Sequence, residues 1–537
     1  MPSQVEVPAA PSSDAKRRLI GSASRFGHRF RAEGAEGFFR GPNKYFTVVA
    51  SEHLVAAITH RRHRDVAAPA LLPAISCRHR QTQTHYVETI SWCRRLILRP
   101  SRWPRNLSVS DFTTREKRPP LIVRFGRALG PGLTTGASDD DPSGIATYSQ
   151  AGAEFGYSML WTMLLSYPLM TAIQEISARI GRVTGKGLAG NLRTYCPRWL
   201  AYSIALAVFI ANTINIGADL AAMGGALQLL AGGPLLLYTV GIAALSVLLQ
   251  IFLSYGAYAR MLRWLTLSLF AYVVAAFLAH VQWRTALYQL AVPTISLDRH
   301  YLTTIVAILG TTISPYLFFW QASQEAEEVR SNRGAEPLLE RPDQATGEVE
   351  RIEIDTFVGM AVSNIIGFFI ILTCAATLHT SGIKDIGSAQ QAAEALRPVA
   401  GKLAFVLFSL GIVGTGFLAI PVLAGSAAYA IAGVANWRAS LGHPLDQAPR
   451  FYAALSAACV LGLAVNFVPI DPMKALYWSA VVNGVVAAPL MAAMIVIASD
   501  RRVMGQFRLP LRLRISGWTC TAVMAISVAG FLLTLRG

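Results

Sequence analysis

Three consecutive carboxylates stand beside two helix breakers inside an apolar stretch. Asp139, Asp140 and Asp141 are followed at once by Pro142 and, shortly after, by Gly144. Carboxylates at membrane depth are costly and typical of functional sites. An unwound turn exposes backbone carbonyls, which together with an aspartate offer oxygen ligands to a cation. Asp141 directly precedes the break and is the predicted anchoring ligand, whereas Asp139 and Asp140 are predicted to line a water-filled approach.

A structural role for the same carboxylates competes with this interpretation. Aspartate is a frequent cap of helix N-termini, so one or two of the three are also candidates to cap the helix that follows the break. Capping and cation binding can coexist on different residues.

A second break contains Ser314, Pro315 and Tyr316 within the run AILGTTISPYLFFWQAS. Thr311 offers a backbone carbonyl there, Ser314 offers a hydroxyl or a carbonyl, and Tyr316 is an aromatic ring with a polar tip. The break contains no methionine, cysteine or histidine. Oxygen ligands suit magnesium, calcium and manganese, so the predicted site is hard and oxygen-rich.

The composition indicates that these breaks lie in a polytopic membrane protein. Of 537 residues, 53% are hydrophobic and 15% are charged, whereas soluble domains carry about 25% charged residues. The six scattered cysteines show no paired spacing, which argues against a disulfide framework or a zinc site. Apolar runs long enough to cross a bilayer predict an all-α fold with eleven transmembrane helices. The predicted spans are 122–150, 157–180, 200–229, 235–254, 262–282, 302–322, 354–378, 403–433, 451–469, 473–498 and 512–534.

The two breaks fall in spans 1 and 6, five spans apart. That spacing is expected of a transporter built from two inverted five-helix repeats, with its site where the broken helices meet. Proline kinks that only shape a helix are the alternative. Basic loops follow every even-numbered span, which predicts a cytoplasmic N-terminus and an outside C-terminus.

Residues 1–119 form a separate basic segment. Residues 1–120 hold 21 Lys and Arg against 9 Asp and Glu, without a convincing apolar span. We expect a disordered tail, or upstream sequence wrongly included in the gene model, rather than a metal-binding or nucleic-acid-binding arm. The sequence indicates no nucleic-acid partner and no obligate protein partner.

Two sequence runs resemble a known family. The run LGPGLTTGASDDDPSGIATYSQAGAEFGYSMLW, followed by QEISARIGRVTGKGLA, is similar to the first two spans of the NRAMP family of divalent metal transporters. The similarity covers about residues 120–535. It implies a LeuT-like fold and alternating-access transport in a membrane, with the bacterial inner membrane favoured. It also implies a transported metal rather than a cofactor, and no enzymatic activity.

The resemblance also implies roles for residues within the breaks. The family aspartate corresponds to Asp141, and the family asparagine to Gly144, which would leave room for a hydrated ion. The family Met-Pro-His corresponds to Ser314, Pro315 and Tyr316. A soft sulfur ligand is therefore missing, which favours Mg²⁺ or Mn²⁺, with Fe²⁺ as a further candidate.

Positions outside the breaks depart from the family as well. Asp219 matches a family aspartate, but the family glutamate beside it is Ala222. The family glutamine of span 10 is Ala480, with Asn483 one turn away as a substitute. The resemblance ties the histidine of the second break to proton movement. Without that histidine and the glutamate, proton coupling is not expected, although Asp219 and Asn483 remain candidates for a proton or coupling pathway. The alternative for Asp219 is a buried, hydrogen-bonded helix contact.

Two other functions remain open at this point. The same fold could carry an organic solute such as an amino acid, although three aspartates would repel a substrate carboxylate. A metal sensor or signalling protein without flux is the other alternative.

Further along, Glu325, Glu327 and Glu328 follow span 6, and we expect a solvated helical face there rather than an exit vestibule. Glu175 and Arg179, four residues apart, predict a helix-end ion pair.

Overall fold

A computed structural model of the chain describes residues 36–41, 44–49, 131–252, 269–332, 334–397, 401–468 and 471–534. The chain divides into two units, residues 1–116 and 117–537. The remaining residues, including most of the predicted N-terminal tail, the first residues of span 1 and the start of span 5, lie outside this description.

The first unit contains an antiparallel hairpin within the described residues. Strand β1 covers Glu36–Gly41 and strand β2 covers Lys44–Val49. The register pairs Glu36 with Val49 and Gly41 with Lys44. The interpretation of residues 1–119 as a tail stays a prediction.

The described part of the second unit is helical. Its first helices are α1 (Pro131–Asp139), α2 (Pro142–Phe155), α3 (Trp161–Thr184), α4 (Leu188–Tyr195), α5 (Arg198–Ala231), α6 (Leu235–Phe252), α7 (Phe270–Leu278) and α8 (Trp283–Ala291). The next are α9 (Arg299–Thr312), α10 (Pro315–Ser331), α11 (Ala345–Cys374), α12 (Ala389–Glu394), α13 (Ala404–Ala435), α14 (Pro449–Val465), α15 (Pro472–Ser499), α16 (Arg501–Met504) and α17 (Leu511–Thr534). Short 3₁₀ turns are Gly156–Met159, Pro342–Gln344, Gly401–Leu403 and Gly505–Phe507, and a π-helical turn covers Ala375–His379.

Both predicted breaks are present and are built alike. Between α1 and α2, Asp141 is extended at φ −73° and ψ 171°, and Pro142 begins the next helix. Between α9 and α10, Ser314 is extended at φ −84° and ψ 134°, and Pro315 begins the next helix. A proline disfavours helical geometry in the residue before it and is well suited to the first helical position. The two X-Pro pairs therefore interrupt the helices where the sequence predicted.

Seven helical segments of the described residues are long and apolar enough to cross a membrane. They correspond to predicted spans 3, 4, 6, 7, 8, 10 and 11. Of the other four spans, span 1 is broken and begins outside the described residues, and the first residues of span 5 (262–268) also lie outside them. Span 9 is a 17-residue apolar helix, Pro449–Val465, and α3 covers span 2. The prediction of an all-helical membrane domain with two broken helices is confirmed, and the count of eleven stays a prediction.

Small residues let the backbones of neighbouring helices approach closely. A Cβ added at Gly136 of α1 would collide with the backbone of Gly359 in α11, and one at Gly310 of α9 with the Ala480 carbonyl of α15. Close packing at small residues is a general way to hold membrane helices together. Here it fixes both broken helices against unbroken neighbours. Apolar side chains face outward on α6, in keeping with a lipid-facing surface: Leu236, Leu237, Val240, Leu245 and Leu248.

Candidate functional site

Asp141 is the fully buried centre of the first break. Its Oδ1 accepts hydrogen bonds from the Gly144 amide at 2.8 Å and from Ser143 Oγ at 2.6 Å. This is N-cap geometry, which satisfies an amide at the start of α2. The residue that the sequence assigned to ligation is therefore also the cap, and the cap uses only one of its two carboxylate oxygens.

The other oxygen of Asp141 faces two different helices. Asn215 Nδ2, on α5, donates to Asp141 Oδ2 at 3.1 Å. Tyr316 Oη, on α10, lies 3.3 Å from the same oxygen and 3.3 Å from the Ser138 carbonyl. The carboxylate thus connects the first break, the second break and α5.

Ser314 and Thr311 form the wall of the second break. Ser314 Oγ lies 2.7 Å from both the Gly310 and the Thr311 carbonyl oxygens. Ser314 is completely buried and Thr311 nearly so. These carbonyls are the ones released at the end of α9, so the backbone supplies oxygen atoms here, as the proline predicted.

Gly144 brings the two breaks together without an intervening side chain. A Cβ at this position would lie 3.3 Å from Thr311 Oγ1, and 3.4 Å from both the Asp139 carbonyl oxygen and the Tyr148 ring. The space at Gly144 is therefore narrow in this conformation. The structure brings Asp141, Gly144, Thr311 and Tyr316 into one buried cluster. We call these four residues and Ser314 the break cluster.

Asp139 and Asp140 accept hydrogen bonds from α11. Ser363 Oγ lies 2.5 Å from Asp139 Oδ2 and 3.2 Å from Asp140 Oδ1. Both carboxylates are buried, Asp139 completely. Asp139 Oδ1 has no hydrogen-bond partner within the described part of the chain.

Asn215 is a site residue that sequence reasoning missed. Its amide contacts Asp141, and its Oδ1 accepts a hydrogen bond from Ser479 Oγ of α15 at 2.6 Å. A signal was available, because Asn212, Asn215 and Asp219 recur at helical spacing on one face of the otherwise apolar α5. Buried polar groups need partners, and this polar face was the place to look for them.

Asp219 and Asn483 are buried polar residues whose side chains have no hydrogen-bond partner among the described residues. Asp219 is completely buried on α5, and neither carboxylate oxygen has a hydrogen-bond partner among the described residues. The side-chain amide of Asn483 on α15 is equally buried and equally unpartnered there. Such groups are expensive in apolar surroundings unless water or an ion satisfies them.

The acidic side chains of the described residues do not converge on one point. Among the described residues, no three His, Cys, Asp or Glu side chains converge to hold a metal ion. The three consecutive aspartates diverge, since Asp141 faces Tyr316 and the other two face Ser363. An ion at the break cluster would therefore have one carboxylate and otherwise neutral oxygen atoms around it.

Hydrogen bonds tie the first half of α1 to α10 and to α11. Thr135 Oγ1 of α1 donates to Gln321 Oε1 of α10. The Gly132 amide donates to Asp355 Oδ2 of α11 at 2.6 Å. Both contacts lie on the side where α1 begins, the side predicted to be cytoplasmic.

The acids that follow span 6 differ from the expectation of a solvated face. Glu325 is completely buried and pairs with Arg351 Nη2 at 2.6 Å. Glu327 Oε1 accepts from Tyr429 Oη and from the Leu441 amide. The expectation was wrong for these two residues because their partners come from elements distant in sequence. The Glu175–Arg179 pair is present as predicted, at 2.6 Å.

Comparison with known proteins places the chain in a family. The family model described as "Natural resistance-associated macrophage protein-like" (Nramp) matches residues 132–534. The chain is 27% identical over 409 residues to the divalent metal cation transporter MntH of Burkholderia ambifaria, covering 74% of this chain and 86% of the relative. Against MntH of Pectobacterium carotovorum subsp. carotovorum it is 26% identical over 387 residues, 70% of this chain and 87% of the relative.

The fold matches that of a solved structure. The crystal structure of the Eremococcus coleocola manganese transporter superposes with a TM-score of 0.61 at 17% identity, covering 80% of this chain and 92% of that chain. The family match extends from α1 to the last residue of α17 and includes both breaks. This chain belongs to the Nramp family of membrane transporters.

Proposed function

We propose that this protein carries a divalent metal cation across the membrane through the break cluster. The observation that supports this most strongly is the fully buried Asp141 carboxylate, held where two helices lose their backbone hydrogen bonding. A buried carboxylate without a paired cation is costly, and no Lys or Arg is bonded to Asp141 within the described residues. A metal cation would compensate that charge.

The proposed ligands combine one charge with several neutral oxygens. Asp141 Oδ2 supplies the carboxylate, and Thr311 and Ser314 supply carbonyl or hydroxyl oxygens. Tyr316 Oη and the Asn215 amide stand close to the same carboxylate. Gly144 is proposed to make way for an ion by placing no side chain between the breaks, where the space is narrow in this conformation.

Mg²⁺ and Mn²⁺ are the favoured ions, with Fe²⁺ next. The break cluster holds no thioether, thiol or imidazole, and hard cations prefer oxygen ligands. The Eremococcus coleocola protein is named a manganese transporter, and the bacterial relatives are named divalent metal cation transporters. Those names agree with a divalent cation, and an uptake experiment distinguishes Mg²⁺, Mn²⁺ and Fe²⁺.

Transport is proposed to proceed by alternating access. All five residues of the break cluster are buried. In this conformation the cluster is therefore closed to solvent. Loosening of the Thr135–Gln321 and Gly132–Asp355 contacts would open the side where α1 begins. Rocking of one helix bundle against another is the usual movement in this architecture.

We also propose a path by which the ion reaches the break cluster and residues that would couple its movement to protons. Asp139 and Asp140 are proposed to lie along the approach, together with Tyr316. Asp219 and Asn483 are proposed for proton or coupling movement because both are buried and unsatisfied in the described residues. The absence of a family-like histidine in the second break argues against strong proton coupling.

The proposed location is a bacterial inner membrane, with the N-terminus in the cytoplasm and the C-terminus outside. The bacterial relatives support the membrane, and the basic loops after even-numbered spans support the orientation. Cysteine-accessibility labelling in whole cells would test the orientation.

Uptake into proteoliposomes tests the proposal. Purified protein is reconstituted, and entry of Mg²⁺, Mn²⁺, Fe²⁺ and Ca²⁺ is measured with and without an imposed proton gradient. We expect saturable Mn²⁺ or Mg²⁺ uptake that changes little with the gradient. Metal binding without flux would instead support a sensor, and uptake of an amino acid without metal uptake would support the organic-solute alternative.

A further inference from the structure

A basic pocket lies apart from the break cluster, where α4, α10 and the end of α13 meet. Its volume is about 360 Å³. Four permanently cationic side chains line it: Lys186, Arg193, Arg330 and Arg438. His443 adds a fifth basic group, and no acidic side chain is among its described lining residues.

The cations around this pocket are largely uncommitted. Lys186, Arg193 and Arg438 are exposed and take part in no ion pair within the described chain. Arg330 donates to the Gly185 carbonyl at 3.2 Å. Glu327 accepts hydrogen bonds from the lining residue Tyr429 and from the Leu441 amide, and its charge also interacts with that of Arg330. A concave cluster of several like charges attracts an anion and repels a metal cation, so the proposed transport does not account for it.

The surroundings of the pocket are those of a membrane surface. Trp437 lines it and is covered by the Arg450 guanidinium, 5.9 Å from the ring centroid. The nearby start of α5 exposes Trp199 and Tyr202, at 70% and 51%, and further along α5 Leu206 and Ile210 are exposed. Aromatic residues concentrate at the headgroup level, and exposed aliphatic side chains beyond them suit acyl chains.

We infer that this pocket binds the phosphate headgroup of an acidic phospholipid, with Lys186, Arg193, Arg330 and Arg438 around the phosphate. Arginine is well suited to phosphate oxygens because its planar guanidinium donates two parallel hydrogen bonds. Clusters of Lys and Arg beside a membrane helix bind anionic lipids in the same way. The apolar face of α5 favours a lipid over free phosphate, because a lipid uses both surfaces at once.

The test measures lipid binding rather than transport, so its outcome is independent of the proposed function. Full-length protein in detergent is titrated with phosphatidylglycerol, phosphatidylcholine or inorganic phosphate and followed by native mass spectrometry and thermal unfolding. We expect phosphatidylglycerol to bind and to raise the Tm, with little effect of the other two. The double variant Arg193→Gln/Arg438→Gln should bind phosphatidylglycerol about thirtyfold more weakly.

A matched control removes two positive charges elsewhere on the side of the membrane that is predicted to be cytoplasmic. Arg512→Gln/Arg514→Gln, at exposed positions of α17, should bind phosphatidylglycerol like the unaltered protein. Should the double variant fold poorly, the two single variants are measured instead. Equal weakening in the control, equal binding of phosphatidylcholine, or protection by inorganic phosphate alone would each overturn the inference.

Discussion

The Tyr316 hydroxyl and the Asp141 carboxylate connect the two helix breaks directly, with 3.3 Å between Oη and Oδ2. This is longer than the usual range of about 2.5–3.0 Å for an O–H···O hydrogen bond. A weak contact of this kind is easily exchanged for a metal–oxygen bond. The Asp141 oxygen that caps α2 is the other one, so binding an ion need not undo the cap.

Replacing Tyr316 by phenylalanine isolates that contact. Because a net hydrogen bond contributes about 0.5–1.5 kcal/mol, Tyr316→Phe should change the apparent metal affinity by about twofold to tenfold without abolishing transport. Proteoliposome uptake against metal concentration measures this. Tyr477→Phe is the control, since that hydroxyl bonds Thr304 Oγ1 at 2.8 Å outside the break cluster. A complete loss of transport in Tyr316→Phe, or an equal change in both variants, would contradict the assignment.

Ion selectivity should respond to a sulfur ligand at Ser314. The variant Ser314→Met places a thioether in the second break, which should raise uptake of Cd²⁺ or Mn²⁺ relative to Mg²⁺. Ser314 is completely buried, and the larger side chain should also lower stability by about 1–3 kcal/mol. Ser314→Ala serves as the control because it removes the hydroxyl without adding sulfur. The same gain in the Cd²⁺ to Mg²⁺ uptake ratio in both variants would argue against sulfur ligation.

Gly310 is predicted to be irreplaceable for steric reasons. Its missing Cβ would collide with the Ala480 carbonyl and approach the Gly484 amide within 2.6 Å, so Gly310→Ala should separate α9 from α15 and lower the Tm markedly. Gly241→Ala on α6 is the matched substitution, because no atom of the described residues lies within 4 Å of its added Cβ. That variant should be neutral or stabilising by up to about 1 kcal/mol. Thermal unfolding of both proteins in detergent decides, and equal Tm values would refute the packing argument.

The buried ion pair between α10 and α11 gives a prediction about stability. Arg351→Gln leaves the Glu325 carboxylate buried without its 2.6 Å partner, and removing one member of a buried pair costs about 3–5 kcal/mol. The double variant Glu325→Gln/Arg351→Gln removes both charges and should recover part of that loss. The Tm of the three proteins measures the effect. A double variant less stable than Arg351→Gln alone would show that the charges do not act as a pair.

The helices and their breaks could be predicted from the sequence because each depends on residues that are close together in the chain. Pro142 and Pro315 determine where the helices break, since a proline constrains the residue before it and removes one amide donor. Apolar runs indicated the helices because a bilayer demands apolar length. The last residue of span 9 and the first residues of span 5 (262–268) lie outside the described residues.

Partners within the site could not be read from the sequence in the same way. Ser363 meets Asp139 across 224 positions, and Asn215 meets Asp141 across 74. The spacing of residues within one helix does not show which face of another helix that helix contacts. Glu325 was expected to be solvated for the same reason, since Arg351 comes from the next long helix and buries it.

The central claim is that the negative charge of Asp141 holds the transported metal, and Asp141→Asn tests it most directly. Asparagine caps helices about as well as aspartate, so the variant retains the hydrogen bonds to Gly144 and Ser143 while losing the charge. Calorimetric titration of Mn²⁺ and Mg²⁺, with Asp446→Asn in an exposed loop as the control, compares binding directly. We predict loss of measurable metal binding in Asp141→Asn, in a variant that still unfolds cooperatively, with an unaffected control. Metal binding by Asp141→Asn at the affinity of the unaltered protein would contradict the account.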